Sequence, residues 1–128
     1  MNTRLVRSLG LAAALLAGMS AMLFSAEPRK EEAALSSKLI TAIERSDYEA
    51  FVADGEPAFK SLNKEQFAAV AAQMAPRLQA GYEISYLGEL RQQGYHVTLW
   101  KVSYKDRGDD ALATLSVRDG KVGGFYIR

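Results

Sequence analysis

The chain has 128 residues, of which 48% are hydrophobic, and it carries 16 lysines and arginines against 15 aspartates and glutamates. That length allows one small domain plus whatever its ends carry. The formal net charge of +1 gives no electrostatic footprint for binding nucleic acid. The absence of cysteine excludes disulfide bonds and a lipid-anchored signal of the lipoprotein type.

Residues 1–26 have the pattern of a signal peptide. Arg4 and Arg7 precede an apolar run from Leu9 to Phe24, a combination typical of secretory signals. Bulky Phe24 disfavours cleavage after Ala26, so an uncleaved membrane anchor is the alternative, although a spanning helix needs about 20 apolar residues. We expect a periplasmic or secreted protein, or one anchored in the inner membrane and facing the periplasm. Without this segment the chain loses two arginines and no acid, and its net charge becomes −1.

Residues 27–32 are charged and include Pro28, so we expect them to form a short exposed lead-in. The chain then shows apolar residues at helical spacing, which predicts a first helix. Its stripe consists of Leu35, Leu39, Ala42 and Ile43. Glu31 and Glu32 are placed in the first turn, where the helix dipole favours acidic side chains.

Two further helices are predicted from capping signals. Ser46 with Glu49 three residues later matches a capping box, and Asn63 has the same relation to Gln66. Pro76 lies inside the stripe of the third helix, and we expect it to kink that helix or to end it near residue 75.

After Gly81 the apolar period changes from helical to alternating, which predicts strands. The stretches YEISYLGEL, YHVTLWKVSY and ALATLSV precede a last strand that begins at Lys121, and Asp119-Gly120 has the sequence of a two-residue hairpin turn. Helices followed by a four-stranded antiparallel meander predict an α+β domain over residues 33–128.

The last strand changes phase at Gly123 and Gly124. Val122 shares a face with Val117, whereas Phe125 and Ile127 have the opposite parity. A β-bulge at the two glycines would bring all these apolar side chains to one face, and glycine suits a bulge because it accepts positive φ. The alternative is that the glycines let a neighbouring group approach closely.

The order of elements, with AIERSDYEAF between helices and VRDGKVGGFYI at the end, resembles the cystatin-like folds, in particular the nuclear transport factor two-like superfamily. The resemblance covers about residues 33–128. It implies helices packed on the concave face of a curved four-stranded meander, a cone-shaped pocket between them, and dimers formed through the sheet. It also implies either enzymes with a general base in the cone or purely structural modules, so it does not determine function.

His96 is the one candidate catalytic residue. Enzymes of the resembled superfamily place an acid or a His–Asp pair in the cone, and His96 shares parity with Trp100 and Tyr104. In the catalytic interpretation, Tyr82 or Tyr86 supplies a hydroxyl partner. We favour a structural or exposed histidine, because no acid lies at a fixed spacing. Glu83 and Glu89 alternate with apolar residues and are expected to face solvent, which leaves the catalytic pattern of an isomerase unmatched.

The sequence predicts no metal site and no cofactor, because one histidine and no cysteine leave only carboxylates as ligands. We expect a ligand or partner surface formed by five side chains: Tyr82, Tyr86, His96, Trp100 and Tyr104. Tyr95 and Tyr126 belong to the same aromatic set, for which ordinary sheet packing is the default interpretation. YHVTLWKVSY is apolar on both parities, so the face without helices is expected to contact a second copy.

Together these observations predict an exported, non-catalytic binding or structural domain for a small apolar ligand or a protein partner, with homodimer formation through the sheet. The alternative is a small acid/base enzyme, such as an isomerase, dehydratase or cyclase, that uses His96 in the cone. No nucleic-acid partner is expected, and membrane contact is expected only through residues 1–26. A His96 that points into a closed apolar cavity beside a carboxylate favours the enzyme, whereas a solvent-facing His96 and a filled cone favour the binding or structural role.

Overall fold

The computed structural model describes residues 27–128. Four helices come first: α1 Lys30–Glu44, α2 Tyr48–Val52, α3 Pro57–Lys60 and α4 Lys64–Gln79. One four-stranded antiparallel sheet follows, in the order of the chain: β1 Tyr82–Gln92, β2 Tyr95–Tyr104, β3 Ala111–Arg118 and β4 Lys121–Ile127. The predicted α+β class is therefore confirmed.

The predicted signal peptide or anchor, residues 1–26, lies outside the described part of the chain. Between residues 27 and 128, none of the helices combines the length and the apolar character that crossing a membrane requires.

Helix α1 begins inside the expected lead-in. It starts at Lys30, and Glu31 and Glu32 lie in its first turn, as predicted. Glu32 is buried, because it lies on the same side of α1 as Ser36, Leu39 and Ile43 and that side packs against the sheet. The lead-in prediction was wrong here because it weighed the charge of the segment and not the position of Glu32 on the helix face.

The cap of α2 is shifted by one residue from the predicted Ser46. Ser46 has φ +54°, and its N–H and that of Asp47 donate to the carbonyls of Ile43 and Ala42 at the end of α1. This is a Schellman motif, which uses a left-handed residue to end a helix. Asp47 therefore caps α2 and accepts a hydrogen bond from the Ala50 N–H.

Helix α4 confirms the Asn63 cap and corrects the prediction for Pro76. The Asn63 side chain accepts hydrogen bonds from the N–H groups of Glu65 and Gln66. The helix does not end near residue 75 but runs through Pro76 to Gln79. Tertiary contacts favour the extra turn, because Leu78 is buried and Arg77 pairs with Asp106 at 2.7 Å.

Two turns with left-handed residues connect the strands. Asp119 and Gly120 have φ +52° and +75°, which confirms the predicted hairpin turn. Gln93 and Gly94 have φ +53° and +82° between β1 and β2, so this hairpin uses the same type of turn.

The predicted bulge in β4 is confirmed by the strand register. Val117 pairs with Val122, but Ser116 pairs with Gly124 and Leu115 with Phe125, so Gly123 is the extra residue. The expected reason for glycine was wrong, because neither Gly123 nor Gly124 has a positive φ. Instead, a Cβ atom on Gly123 would overlap the ring of Tyr95. Both explanations therefore apply, because β4 contains the bulge and Gly123 lets the Tyr95 ring approach closely.

The helices cover one face of the sheet, which we call the inner face, and the opposite side is the outer face. The core lies between the helices and the inner face. Its larger members are Leu39, Ile40, Ile43, Phe51, Phe59, Phe67, Leu78, Trp100, Val102, Leu115 and Val122.

Candidate functional site

His96 lies near the start of β2, on the inner face, and contacts two carboxylates. Its Nδ1 atom contacts Glu32 Oε1 in the first turn of α1, and its Nε2 atom lies 2.5 Å from Glu89 Oε2 on β1. The predicted tyrosine hydroxyl partner was wrong, since both hydrogen bonds of the ring go to glutamates. The side chain of His96 is 15% exposed, that of Glu32 5% and that of Glu89 54%.

Glu89 reaches His96 because β1 contains a bulge that the sequence analysis missed. Tyr86 pairs with Trp100 but Gly88 pairs with Leu99, so Leu87 is the extra residue. The bulge moves Glu89 to the inner face, opposite Thr98. Glu89 is exposed to solvent, as expected, but its contact with His96 was not expected. The signal was Gly88, because an isolated glycine in a strand pattern is typical of a bulge.

The two contacts require a charged ring. Each carboxylate accepts hydrogen bonds and donates none, so only an imidazolium, with a proton on both nitrogens, satisfies both neighbours. The hydrogen bond to Glu32, and secondarily that to Glu89, raises the pKa of His96 above its ordinary value against the opposing effect of burial. The group is thus a cation held between two anions.

Two buried polar atoms lie beside this group without a hydrogen-bond partner among the described residues. They are Glu32 Oε2 and Ser36 Oγ, one helical turn apart on α1. Buried polar groups in this position commonly bind an internal water molecule.

The arrangement does not form a metal site. The carboxylates of Glu32 and Glu89 occupy the two different nitrogens of the ring, so the three side chains do not converge on one point. Within residues 27–128, no group of three histidine, aspartate or glutamate side chains is placed to hold a metal ion.

The aromatic residues predicted to form a ligand surface fill the interior instead. Trp100 is 5% exposed, and its Nε1–H donates to Thr98 Oγ1 at 2.8 Å. The Tyr86 ring packs edge-on against Trp100, with 5.2 Å between the centroids. Tyr104 is 9% exposed and lies beneath the Arg77 guanidinium, and Tyr82 packs partly buried against the same core. His96 is largely buried beside two carboxylates, but it lines an open groove and not a closed apolar cavity.

A second polar cluster involves Tyr95 on the outer face. The Tyr95 hydroxyl donates to Glu56 Oε2 at 2.6 Å, and Arg118 contacts the other oxygen of Glu56 while lying over the Tyr95 ring. This hydrogen bond lowers the pKa of Glu56 and raises the pKa of Tyr95. The cluster fixes the Tyr95 ring above Gly123.

The outer face exposes apolar side chains around a groove. Tyr126 is 66% exposed, Leu112 38% and Leu90 36%. The register of the strands places all three on the side away from the helices. The groove has a volume of about 470 Å³, with Tyr95 and Tyr126 at its sides and Val97, Ser116, Gly123 and Gly124 among its remaining lining residues.

Comparisons with known proteins add little to this geometry. No protein-family model and no curated protein matches the chain. Among solved structures, the chain is similar to one described as an uncharacterized cystatin fold protein from Novosphingobium aromaticivorans, with 15% identity over 73% of this chain and 94% of the other. The TM-score is 0.40, so the match carries no argument about this chain.

Proposed function

We propose that this protein is an exported, non-catalytic α+β module of the cystatin-like or nuclear transport factor two-like kind, which associates with a second copy through the outer face of its sheet. The observation that carries the proposal is the contrast between the two faces. The inner face is filled by Trp100, Val102 and Tyr104, whereas the outer face leaves Leu90, Leu112 and Tyr126 exposed.

The filled interior supports a protein partner over a small apolar ligand. Small-molecule sites are concave and bury most of the ligand surface. The expected cone is instead occupied by aromatic side chains of the protein itself. Exposed apolar patches on a polar background are typical of protein–protein contacts.

A second copy is the favoured partner because the outer face carries both a projecting side chain and a groove that can receive one. Tyr126 projects from β4 beside the groove that it shares with Tyr95. In a twofold dimer the same patch serves both subunits, so the tyrosine of each copy can lie against the groove of the other.

The alternative function is that of an acid/base enzyme using His96. The carboxylate contacts of His96 favour it, since histidine–carboxylate pairs are common in proton transfer. Against it, both ring nitrogens are occupied by carboxylates, whose contacts raise the pKa of His96 and so favour the charged ring. A charged imidazole cannot act as a general base until a proton leaves, so the binding role is better supported.

Substitution of Tyr126 tests the proposal. Sedimentation equilibrium of the exported protein is expected to show a concentration-dependent dimer that Tyr126→Asp abolishes, because a charge on the patch resists burial. Val70→Asp is the matched control, since Val70 is 50% exposed but lies on α4. A wild-type protein that stays monomeric at millimolar concentration would falsify self-association. Intact mass of the exported protein tests export and shows whether residues 1–26 are retained.

A further inference from the structure

A second groove lies at the end of the sheet where β1 turns into β2. It has a volume of about 340 Å³. Its lining residues are Arg29, Arg91, Gly94, Tyr95 and His96. Three of these five are basic and none is acidic. The groove shares only Tyr95 with the groove of the outer face.

Three separate elements bring the basic side chains together. Arg91 on β1 pairs with His96 on β2, so both side chains lie on the same face of the sheet. Arg29 is the N-cap residue of α1, and the contact of Glu32 with His96 holds the first turn of that helix at this end of the sheet.

The two guanidinium groups are not neutralised by the protein. Within residues 27–128, neither Arg29 nor Arg91 takes part in a salt bridge, whereas Arg77 and Arg118 each pair with a carboxylate. The charge of His96 is compensated by Glu32 and Glu89, so the two guanidinium groups are the cations that the groove offers to an anion.

We propose that this groove binds a small oxyanion of the phosphate or sulfate type between the guanidinium groups of Arg29 and Arg91. The planar guanidinium donates two parallel hydrogen bonds to such oxygens. His96 donates no hydrogen bond to the ligand, because both of its nitrogens stay with Glu32 and Glu89.

Glu89 acts against the ligand. Its carboxylate is half exposed and already lies on His96 Nε2, so it is an internal anion close to the groove. Removal of its charge is therefore expected to strengthen binding of an external anion. This effect separates electrostatic binding at the groove from general salt effects.

The test is a titration of the full chain with sulfate, in which backbone amide NMR shifts report binding. Protein that retains residues 1–26 is titrated in an uncharged detergent. Saturable shifts are expected around residues 29 and 91–96. Arg29→Gln and Arg91→Gln are each expected to weaken binding about fivefold. Glu89→Gln is expected to tighten binding.

Arg45→Gln is the matched control. Arg45 is exposed at the end of α1 and, among the described residues, forms no salt bridge, so its removal is expected to leave the sulfate affinity unchanged. Shifts that do not saturate, or affinities that are equal in the wild type, Arg29→Gln and Arg91→Gln, overturn the proposal. The exposed positions of both arginines make loss of folding an inadequate explanation, and far-UV circular dichroism of each variant checks this.

The source of the anion is distinguished by two further probes. Tighter binding of glycerol phosphate than of inorganic phosphate indicates a lipid headgroup, and the reverse order indicates a free oxyanion. Either order supports the site, whereas failure of both probes to bind overturns it. The result is independent of the self-association experiment, because Tyr126 does not line this groove.

Discussion

His96 lies between two carboxylates of very different exposure. Glu32 is buried in the first turn of α1, and Glu89 is held on β1 at the protein surface. The three residues join a helix to two strands through a single charged ring. This group makes the stability of the fold depend on pH and on the charges of its three side chains.

The stability of the protein is expected to depend on the protonation of His96. Its folded-state pKa is raised, chiefly by the hydrogen bond to Glu32, above the unfolded value of about 6.5. The stabilisation is then fully present below about pH 6.5 and is lost as pH rises through the folded-state pKa. Because the chain has one histidine, a single imidazole resonance in an NMR titration reports this pKa directly. A titration midpoint at or below 6.5 would contradict the prediction.

The two glutamates are expected to contribute unequally. Glu32→Gln is predicted to lower the free energy of unfolding by about 1.5–3 kcal/mol near pH 6, because a buried hydrogen bond to a charged group is lost. Glu89→Gln, at an exposed pair, is predicted to cost less than about 1 kcal/mol. Urea unfolding of both variants measures the difference, and equal losses would show that burial does not separate the two contacts.

At the scale of elements, two bulges set which side chains reach each face. The bulge at Leu87 brings Glu89 to the inner face, and the bulge at Gly123 brings Phe125 and Ile127 towards the core. A bulge adds one residue to one strand and so reverses the alternation beyond it. The position of one extra residue thus decides the composition of a site or of a core.

Gly123→Ala is predicted to destabilise the protein by about 1–3 kcal/mol, because the added methyl group overlaps the Tyr95 ring that Glu56 and Arg118 fix in place. Gly124→Ala is the matched control. Its Cβ atom would lie 3.2 Å from Tyr126, whose exposed ring has room to move.

A double-mutant cycle with Tyr95→Ala identifies the cause of the loss. If overlap with the ring is responsible, Gly123→Ala costs much less in the Tyr95→Ala background. An unchanged cost would place the cause in the backbone of the bulge instead.

At the scale of the whole molecule, the sheet separates two surfaces. The apolar outer face and the basic groove open at different places and share only Tyr95. A compact sheet with one covered face allows such surfaces to act independently when no conformational change links them.

We therefore predict that the two proposed activities do not couple. Tyr126→Asp is expected to abolish the dimer and leave the sulfate affinity within about twofold of the wild type. Arg91→Gln is expected to weaken sulfate binding about fivefold and leave the dimer intact, since neither residue lines the other groove. Sedimentation and sulfate titration of both variants measure this. Loss of sulfate binding in Tyr126→Asp would mean that the second copy completes the groove.

Much of the fold was predictable because its signals are local. The Asn63 cap, the Asp119-Gly120 turn and the bulge near Gly123 each depend on residues close together in the chain. The start of α1 and the length of α4 were missed because long-range contacts outweigh local preference. Beyond Pro76, the burial of Leu78 and the pairing of Arg77 with Asp106 keep α4 helical.

The candidate site was predictable only in part. His96 was identified from its residue type, but Glu32 was assigned to an exposed segment and Glu89 to the solvent face. Glu32 is 64 positions from His96 in the chain, and no local pattern relates two residues at that separation. Arg29 and Arg91 were not considered, because two arginines far apart in sequence indicate no groove.

The helices, the strands and their order follow from the amino-acid sequence, because periodicity and turn chemistry act over a few residues. Which charges meet depends on long-range packing, namely on how α1 packs on the sheet and on the one residue that β1 gains at Leu87. Packing also decided that the aromatic side chains fill the interior, because burying their large apolar surface stabilises the core more than leaving a cavity open.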